Sequence, residues 1–230
     1  MKNNDPLFEK LADLKPETLL DTGCGCGNYI SAISPLCGRI TAVDISHGLI
    51  ERCRREHQKS NITYLTMDGK NLLFSDRRFT AVMERGSLHH MTEWEKALDE
   101  MIRVSSRYIL IAEPFDDLRN KAKKHTFYCH KFFTKVQNEA GYPHYEHIKP
   151  EVLLEYFNRK GLSIEINIVK SDKLIEFNEF FMDFYHFASK TLNRKDFINR
   201  FEELRRELEE NMLCENDIIY IFAEKQQDGR

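Results

Sequence analysis

The chain has 230 residues, 41% hydrophobic and 31% charged, the balance of an ordinary globular protein long enough to bury a core. A formal net charge of −3 excludes a global electrostatic pull toward nucleic acid or acidic membranes, so a polynucleotide substrate would need a local basic patch. No apolar run approaches the roughly 18 residues of a membrane span, and the polar start lacks a signal-peptide core, so the expected location is the cytoplasm.

Residues 7–14 read as a short amphipathic helix, and residues 18–21 as a first strand after the Lys15-Pro16 turn. A helix is expected to start in 27–33, a second strand at 39–43 to end at Asp44, and a helix at 46–58 to be capped by Ser46. Strands follow at 62–66 and 80–83. Thr92 with Glu95 reads as a capping box for a helix ending near Val104, and 107–112 makes a fifth strand.

After Pro114 the alternation breaks. Residues 115–148 are rich in Lys, His, Phe and Tyr and partly helical; a helix at 150–160 stopped by Gly161 and a strand at 162–170 then restore the rhythm. A helical insertion at 172–213 and a last strand at 217–223 complete the chain. The alternation of strand and helix predicts an α/β fold with a mostly parallel sheet of seven strands, one domain over 1–230, and lids at 115–148 and 172–213.

The run Leu19-Leu20-Asp21-Thr22-Gly23-Cys24-Gly25-Cys26-Gly27-Asn28 carries the first chemical signal. Glycine at alternate positions allows a sharp turn and brings backbone amides against a ligand without Cβ interference. A helix opening directly after it would add a positive N-terminal end. The third glycine of a dinucleotide fingerprint is missing, which turns the reading away from a nicotinamide cofactor. Asp44, at the end of the second strand, suits two ribose hydroxyls, and Asp68, after the third strand beside Gly69, suits an adenine amino group. Either aspartate alone would read as a turn residue; their order along the chain favours a ligand.

These residues resemble the motifs of class I S-adenosylmethionine-dependent methyltransferases. The glycine run resembles their first motif, Thr41-Ala42-Val43-Asp44-Ile45-Ser46 their second and Met67-Asp68-Gly69 their third. Residues 79–91, with Leu88-His89-His90, resemble the fourth-strand motif of the methyltransferase type 11 group. The resemblance spans about half the chain, residues 17–114. It implies a Rossmann-like sheet with an antiparallel last strand and helices on both faces, and S-adenosyl-L-methionine as cofactor. It places Asp21, Gly23, Gly25 and Gly27 on the methionine and ribose part, Asp44 on the ribose, Ile45 and Met67 against adenine, and Asp68 with Gly69 at the adenine edge. Glu84 would offer its backbone carbonyl to the ammonium group. Two departures stand out: the charged Glu84-Arg85-Gly86 loop, and Val104-Ser105-Ser106 where the family has a Pro-Gly-Gly turn.

A sulfonium methyl donor is already activated, so the protein must mainly orient the acceptor and exclude water. Candidate catalytic residues are therefore His89, Glu113, Tyr128 and His144, near the cofactor or in the lid. His144 and His147 could face one metal, joined by Cys129 or His130, but the spacing matches no zinc motif and no metal is assigned. In that reading Tyr128, Tyr142 and Tyr145 shape an acceptor pocket. The six cysteines (24, 26, 37, 53, 129 and 214) are unpaired in pattern and read as semi-buried side chains. The basic residues Arg119, Lys121, Lys123, Lys124, Lys131 and Lys135 suit a solvated face or a small anion better than nucleic acid. The aromatic stripe from Phe177 to Phe187 reads first as core packing, then as a lid or a dimer face. The leading expectation is methylation of a small molecule by in-line displacement. RNA or protein methylation through the basic segment, and a non-catalytic cofactor-binding subunit, are the alternatives.

Overall fold

The computed structural model describes residues 5–175, 195–208 and 213–226. Its strands are β1 (Thr18–Thr22), β2 (Arg39–Asp44), β3 (Ile62–Thr66), β4 (Phe79–Arg85), β5 (Ser105–Phe115), β6 (Ser163–Val169), β7 (Leu174–Ile175), β8 (Leu213–Cys214) and β9 (Asp217–Glu224). The helices are α1 (Pro6–Leu14), α2 (Ile30–Ile33), α3 (His47–Glu56), α4 (Trp94–Val104), α5 (Lys121–Glu139), α6 (Pro150–Arg159) and α7 (Lys195–Leu208).

Seven strands form one sheet in the order β3-β2-β1-β4-β5-β9-β6. The first five pair in parallel, while β9 runs antiparallel between β5 and β6. A short β7–β8 ribbon stands apart. The inner strands β1, β4, β5 and β9 are buried on both faces because their residues alternate between two cores, whereas the edge strand β6 is largely exposed. Leu20, Val43, Val82, Ile109 and Ile221 face the core shared with α4 and α6. Leu19, Ala42, Ala81, Leu110 and Tyr220 face the core shared with α1, α2 and α3. Helices on both faces of a sheet whose order reverses beside β1 leave the crevice at the β1 and β4 carboxyl ends as the binding place.

Several local expectations are corrected. The helix after the glycine loop does not open at Gly27; it begins at Ile30, lasts four residues and passes into a 3-10 turn, Ser34–Leu36, that contains Pro35. A helix this short has little dipole to offer, so the loop's own amides must do the binding. Thr92 does not cap α4; Glu93 takes that place and no side chain closes the cap. Ser46 does cap α3, its Oγ accepting from the Leu49 N–H at 3.4 Å. Val104 ends α4 and Ser105 begins β5, so the family's turn is replaced by a direct helix-to-strand junction.

The segment 115–148 is the 19-residue α5 and an extended stretch after Gly141. The aromatic stripe Phe177–Phe187 lies outside the described residues, as does most of the 172–213 insertion. Its described parts are β7, α7 with Phe201 and Leu204 buried, and β8. Among the described residues, no helix is long and apolar enough to cross a membrane.

Candidate functional site

The loop after β1 is held open by backbone conformations that suit glycine: Gly23, Gly25 and Gly27 have φ of 70°, 54° and 78°. Two of the three are there for packing. A Cβ on Gly23 would stand 2.5 Å from Ser87 Cβ, and one on Gly27 would stand 2.8 Å from the His57 ring. A Cβ on Gly25 would meet nothing within 4 Å, because that residue faces a cavity of about 370 Å³. Asp21, Gly25, Tyr29, Met83, Arg85 and His89 are among its walls.

Asp21 is the acid among the cavity's walls. Asp21 is 6% exposed. Burial, then the charges of Glu84 and Asp44, push its carboxyl up to about 7. Glu84 ends β4 with its side chain wholly buried, where its Oε2 accepts from the Ser87 backbone N–H at 3.1 Å and hydroxyl at 3.0 Å. Glu113, in β5, is buried beside it. Burial raises both, Glu113 to about 7 and Glu84 well above its ordinary value, where the charge of Glu113 adds to the effect. Two adjacent carboxyls without a cation hold a proton between them near neutrality. The Arg85 guanidinium is not that cation: it pairs with Asp5 at 2.6 Å and lies 4.2 Å over the Tyr29 ring.

The residues expected on the adenosine side gather at the ends of β2 and β3. Asp44 faces Thr66 across the ladder, and the Met67 N–H donates to the Asp44 carbonyl at 2.9 Å. The Asp44 carboxylate accepts from the Gly25 N–H at 2.9 Å and the Ser46 N–H at 2.8 Å. It therefore shapes the glycine loop as well as offering remaining lone pairs to a ligand. Ile45 beside it is 68% exposed, an apolar side chain left open next to that edge. Met67 packs partly against the core, and Asp68 accepts from the Lys70 N–H at 2.9 Å with Gly69 against Met91.

Three of the four candidate catalytic residues meet here. His89 sits in the 3-10 turn Leu88–His90, and its Nδ1 lies 2.9 Å from Glu113 Oε2, while Glu113 Oε1 accepts from the Leu88 N–H at 3.0 Å. His144 comes from the stretch after α5 and stands beside His89, ring centroids 5.2 Å apart. The Tyr145 N–H donates to the His89 carbonyl at 2.9 Å and ties that stretch to the turn. Tyr128 does not join them: it is 48% exposed on α5, and Tyr142 is exposed as well, so neither ring is enclosed in a pocket. Cys129 is buried in α5, its thiol pushed up to about 12 by burial, and lies outside both candidate metal clusters among the described residues.

The basic segment is less free than its composition suggests. Lys123 is buried and paired with the buried Asp217, Arg119 folds back onto Asp117, and Lys131 meets Glu146 at 3.1 Å. Sequence reasoning missed the Glu84 carboxyl, for which only a backbone role was expected. An acid at the end of the apolar run Ala81-Val82-Met83 was the available signal, since buried carboxyls need a reason.

Comparison with known proteins agrees with this geometry. Residues 20–107 match the family described as "Methyltransferase domain". The chain is 30% identical over 95 residues to a fatty-acid O-methyltransferase of Mycolicibacterium smegmatis, which takes in 40% of this chain and 35% of that enzyme. It thus spans about a third of that relative's length. Its fold is shared with the YcgJ protein of Bacillus subtilis, at 15% identity and a TM-score of 0.68 over 96% of this chain and 98% of the other. It is also shared with the N-methyltransferase NodS of Bradyrhizobium japonicum, in complex with S-adenosylhomocysteine, at 14% identity and a TM-score of 0.55 over 97% and 90%. Residues 20–107, which carry the glycine loop, Asp44, Asp68 and His89, are thus similar to a methyltransferase domain.

Proposed function

We propose that the chain transfers a methyl group from S-adenosylmethionine to a small-molecule acceptor. The observation that carries this reading is the cavity with an open glycine edge and the buried Asp21 in its wall, near a buried Glu84–Glu113 pair, carboxyls that no cation among the described residues neutralises. A ligand bringing an ammonium and a sulfonium charge matches that deficit. Asp21 and the Gly25 edge would hold the methionine part, and Asp44 with Asp68 the ribose and adenine. When bound, the cofactor supplies an activated methyl group.

The chain's own residues then exclude water and hold the acceptor. The His89–Glu113 pair at the cavity wall is placed to orient an acceptor hydroxyl or amine, because burial and the charge of His147 keep the His89 ring neutral, its pKa down to about 3. The segment carrying α5 and His144 is the proposed acceptor side. A small acceptor is favoured over RNA because Lys123, Arg119 and Lys131 are already paired with acids. It also agrees with the small-molecule acceptor in the name of the Mycolicibacterium relative. Calorimetry with S-adenosylhomocysteine should show one site per chain, and absence of binding would overturn the proposal. A metabolite extract offered with labelled methyl donor should then yield a labelled small molecule.

A further inference from the structure

We propose that His89, His90 and His144 form a three-histidine centre for a divalent transition metal of the zinc, cobalt or nickel class, beside the donor cavity. The ligand-capable atoms of the three side chains lie within 4.8 Å of one another. In each ring Nδ1 is already engaged by an oxygen: Glu113 Oε2 at 2.9 Å for His89, the Pro143 carbonyl at 3.1 Å for His90, and the Gln137 side-chain oxygen for His144. The Pro143 carbonyl and the Gln137 amide oxygen only accept, so Nδ1 of His90 and His144 carries the hydrogen and Nε2 keeps its lone pair; in His89 the same holds when Glu113 is ionised. That second shell of carboxylate and carbonyl oxygens is how metal-ligating histidines are oriented.

Neighbouring rings support the assignment. His130 brings its Nε2 to 2.8 Å from His144 Nε2, while its own Nδ1 is buried without a partner. His147 stacks on His130 at 4.0 Å and reaches Asp116 at 3.1 Å. Five imidazoles in van der Waals range with an unmatched ring nitrogen make a polar cluster that internal hydrogen bonds do not balance. Imidazole nitrogen is the donor that these metals share. A tetrahedral zinc site spaces its nitrogens by roughly 3.3 Å, so binding draws the three rings together by an ångström or so.

Asp116, His130 and His147 form a second cluster, but the Asp116 carboxylate is already engaged by His147 and by Asn216 at 2.9 Å. The first cluster is preferred because His89 also lines the cavity, which leaves the fourth position of its metal on the donor side. Given methyl transfer as the activity, that position takes an oxygen or nitrogen donor of the acceptor, holds it in line and lowers its pKa. The metal centre itself does not depend on that reading.

The test uses the whole chain without a polyhistidine tag, stripped with chelator and titrated with zinc by calorimetry and with cobalt by visible absorption. One ion per chain at micromolar affinity or tighter is expected, with cobalt bands of tetrahedral intensity. The double variant His90→Ala, His144→Ala should weaken binding on the order of 100-fold or more, while S-adenosylhomocysteine still binds and reports an intact fold. In the wild-type chain, zinc should shift the Nε2 nitrogen-15 resonances of the three rings. No stoichiometric binding, unmoved Nε2 resonances, or undiminished affinity in the double variant would overturn the proposal, the last by placing the ion elsewhere. Metal binding without S-adenosylhomocysteine binding would remove the methyl-transfer reading and leave the centre standing.

Discussion

Gly23 and Gly25 share a left-handed backbone but face different neighbours, and substitution should separate their roles. Gly23→Ala drives a Cβ against Ser87 and should lower stability by about 1–3 kcal/mol, read by thermal or denaturant unfolding. Gly25→Ala meets no neighbour, so it should cost only about 1–2 kcal/mol of backbone strain and show its main effect as weaker cofactor binding. Asp44→Ala removes the acceptor for both Gly25 and Ser46 as well as the proposed ribose contact, and should weaken S-adenosylhomocysteine binding on the order of 1–3 kcal/mol. An unchanged affinity would count against that assignment. The raised Asp21 and Glu113 add a pH signature. A cationic ligand favours their ionised forms, so S-adenosylmethionine binding should release protons and weaken as pH falls through about 7. Calorimetry in buffers of different ionisation enthalpy checks this; no buffer dependence would refute it.

At the scale of elements, α5 is fastened to the end of the sheet by polar contacts rather than by a broad apolar face. Lys123 reaches Asp217 at the start of β9, and Thr126 exchanges hydrogen bonds with Cys214 of β8 at 2.9 and 3.1 Å. Lys123→Ala leaves a buried carboxylate unpaired and should cost about 3–5 kcal/mol in denaturant unfolding, whereas replacing both partners by apolar residues should cost far less. A Lys-to-Glu scan for RNA binding must therefore leave Lys123 out, since its loss would mimic a binding defect. Periodicity located these elements well, because apolar residues recur at the strand and helix periods. It did not locate the α4 cap, where Thr92 had the right type but Glu93 has the position. Cap position depends on where the chain leaves the preceding turn.

For the whole molecule, two opposed sets of buried groups govern stability against pH. His89, His130 and His144 have depressed pKa values when folded, so their contribution is full above about 6.5 and is lost as pH falls toward 3. Asp21 and Glu113 have raised values, so theirs is full below about 4 and is lost as pH rises through 7, and Glu84 is raised in the same direction. Between those limits the two sets oppose each other. The ligand-free chain should therefore be most stable on the mildly acidic side of neutrality, and saturating S-adenosylmethionine should lift the neutral side of the curve. Thermal melts from pH 3 to 8, with and without ligand, read both effects.

By itself the sequence determined the sheet, the order of its elements and the glycine loop with Asp21, Asp44 and Asp68 after successive strands. Those features are local: they follow from residue periods and from what a turn beside a ligand requires. Only the tertiary structure decided that Glu84 and Glu113 are one buried acidic pair, that Lys123 is a structural cation, and that Tyr128 and Tyr142 lie exposed. It also brought His89 and His90 together with His130, His144 and His147, which are 40 to 58 positions further along. No spacing rule reports such a cluster, because its members come from a turn, a helix and a loop that meet only when the sheet has folded.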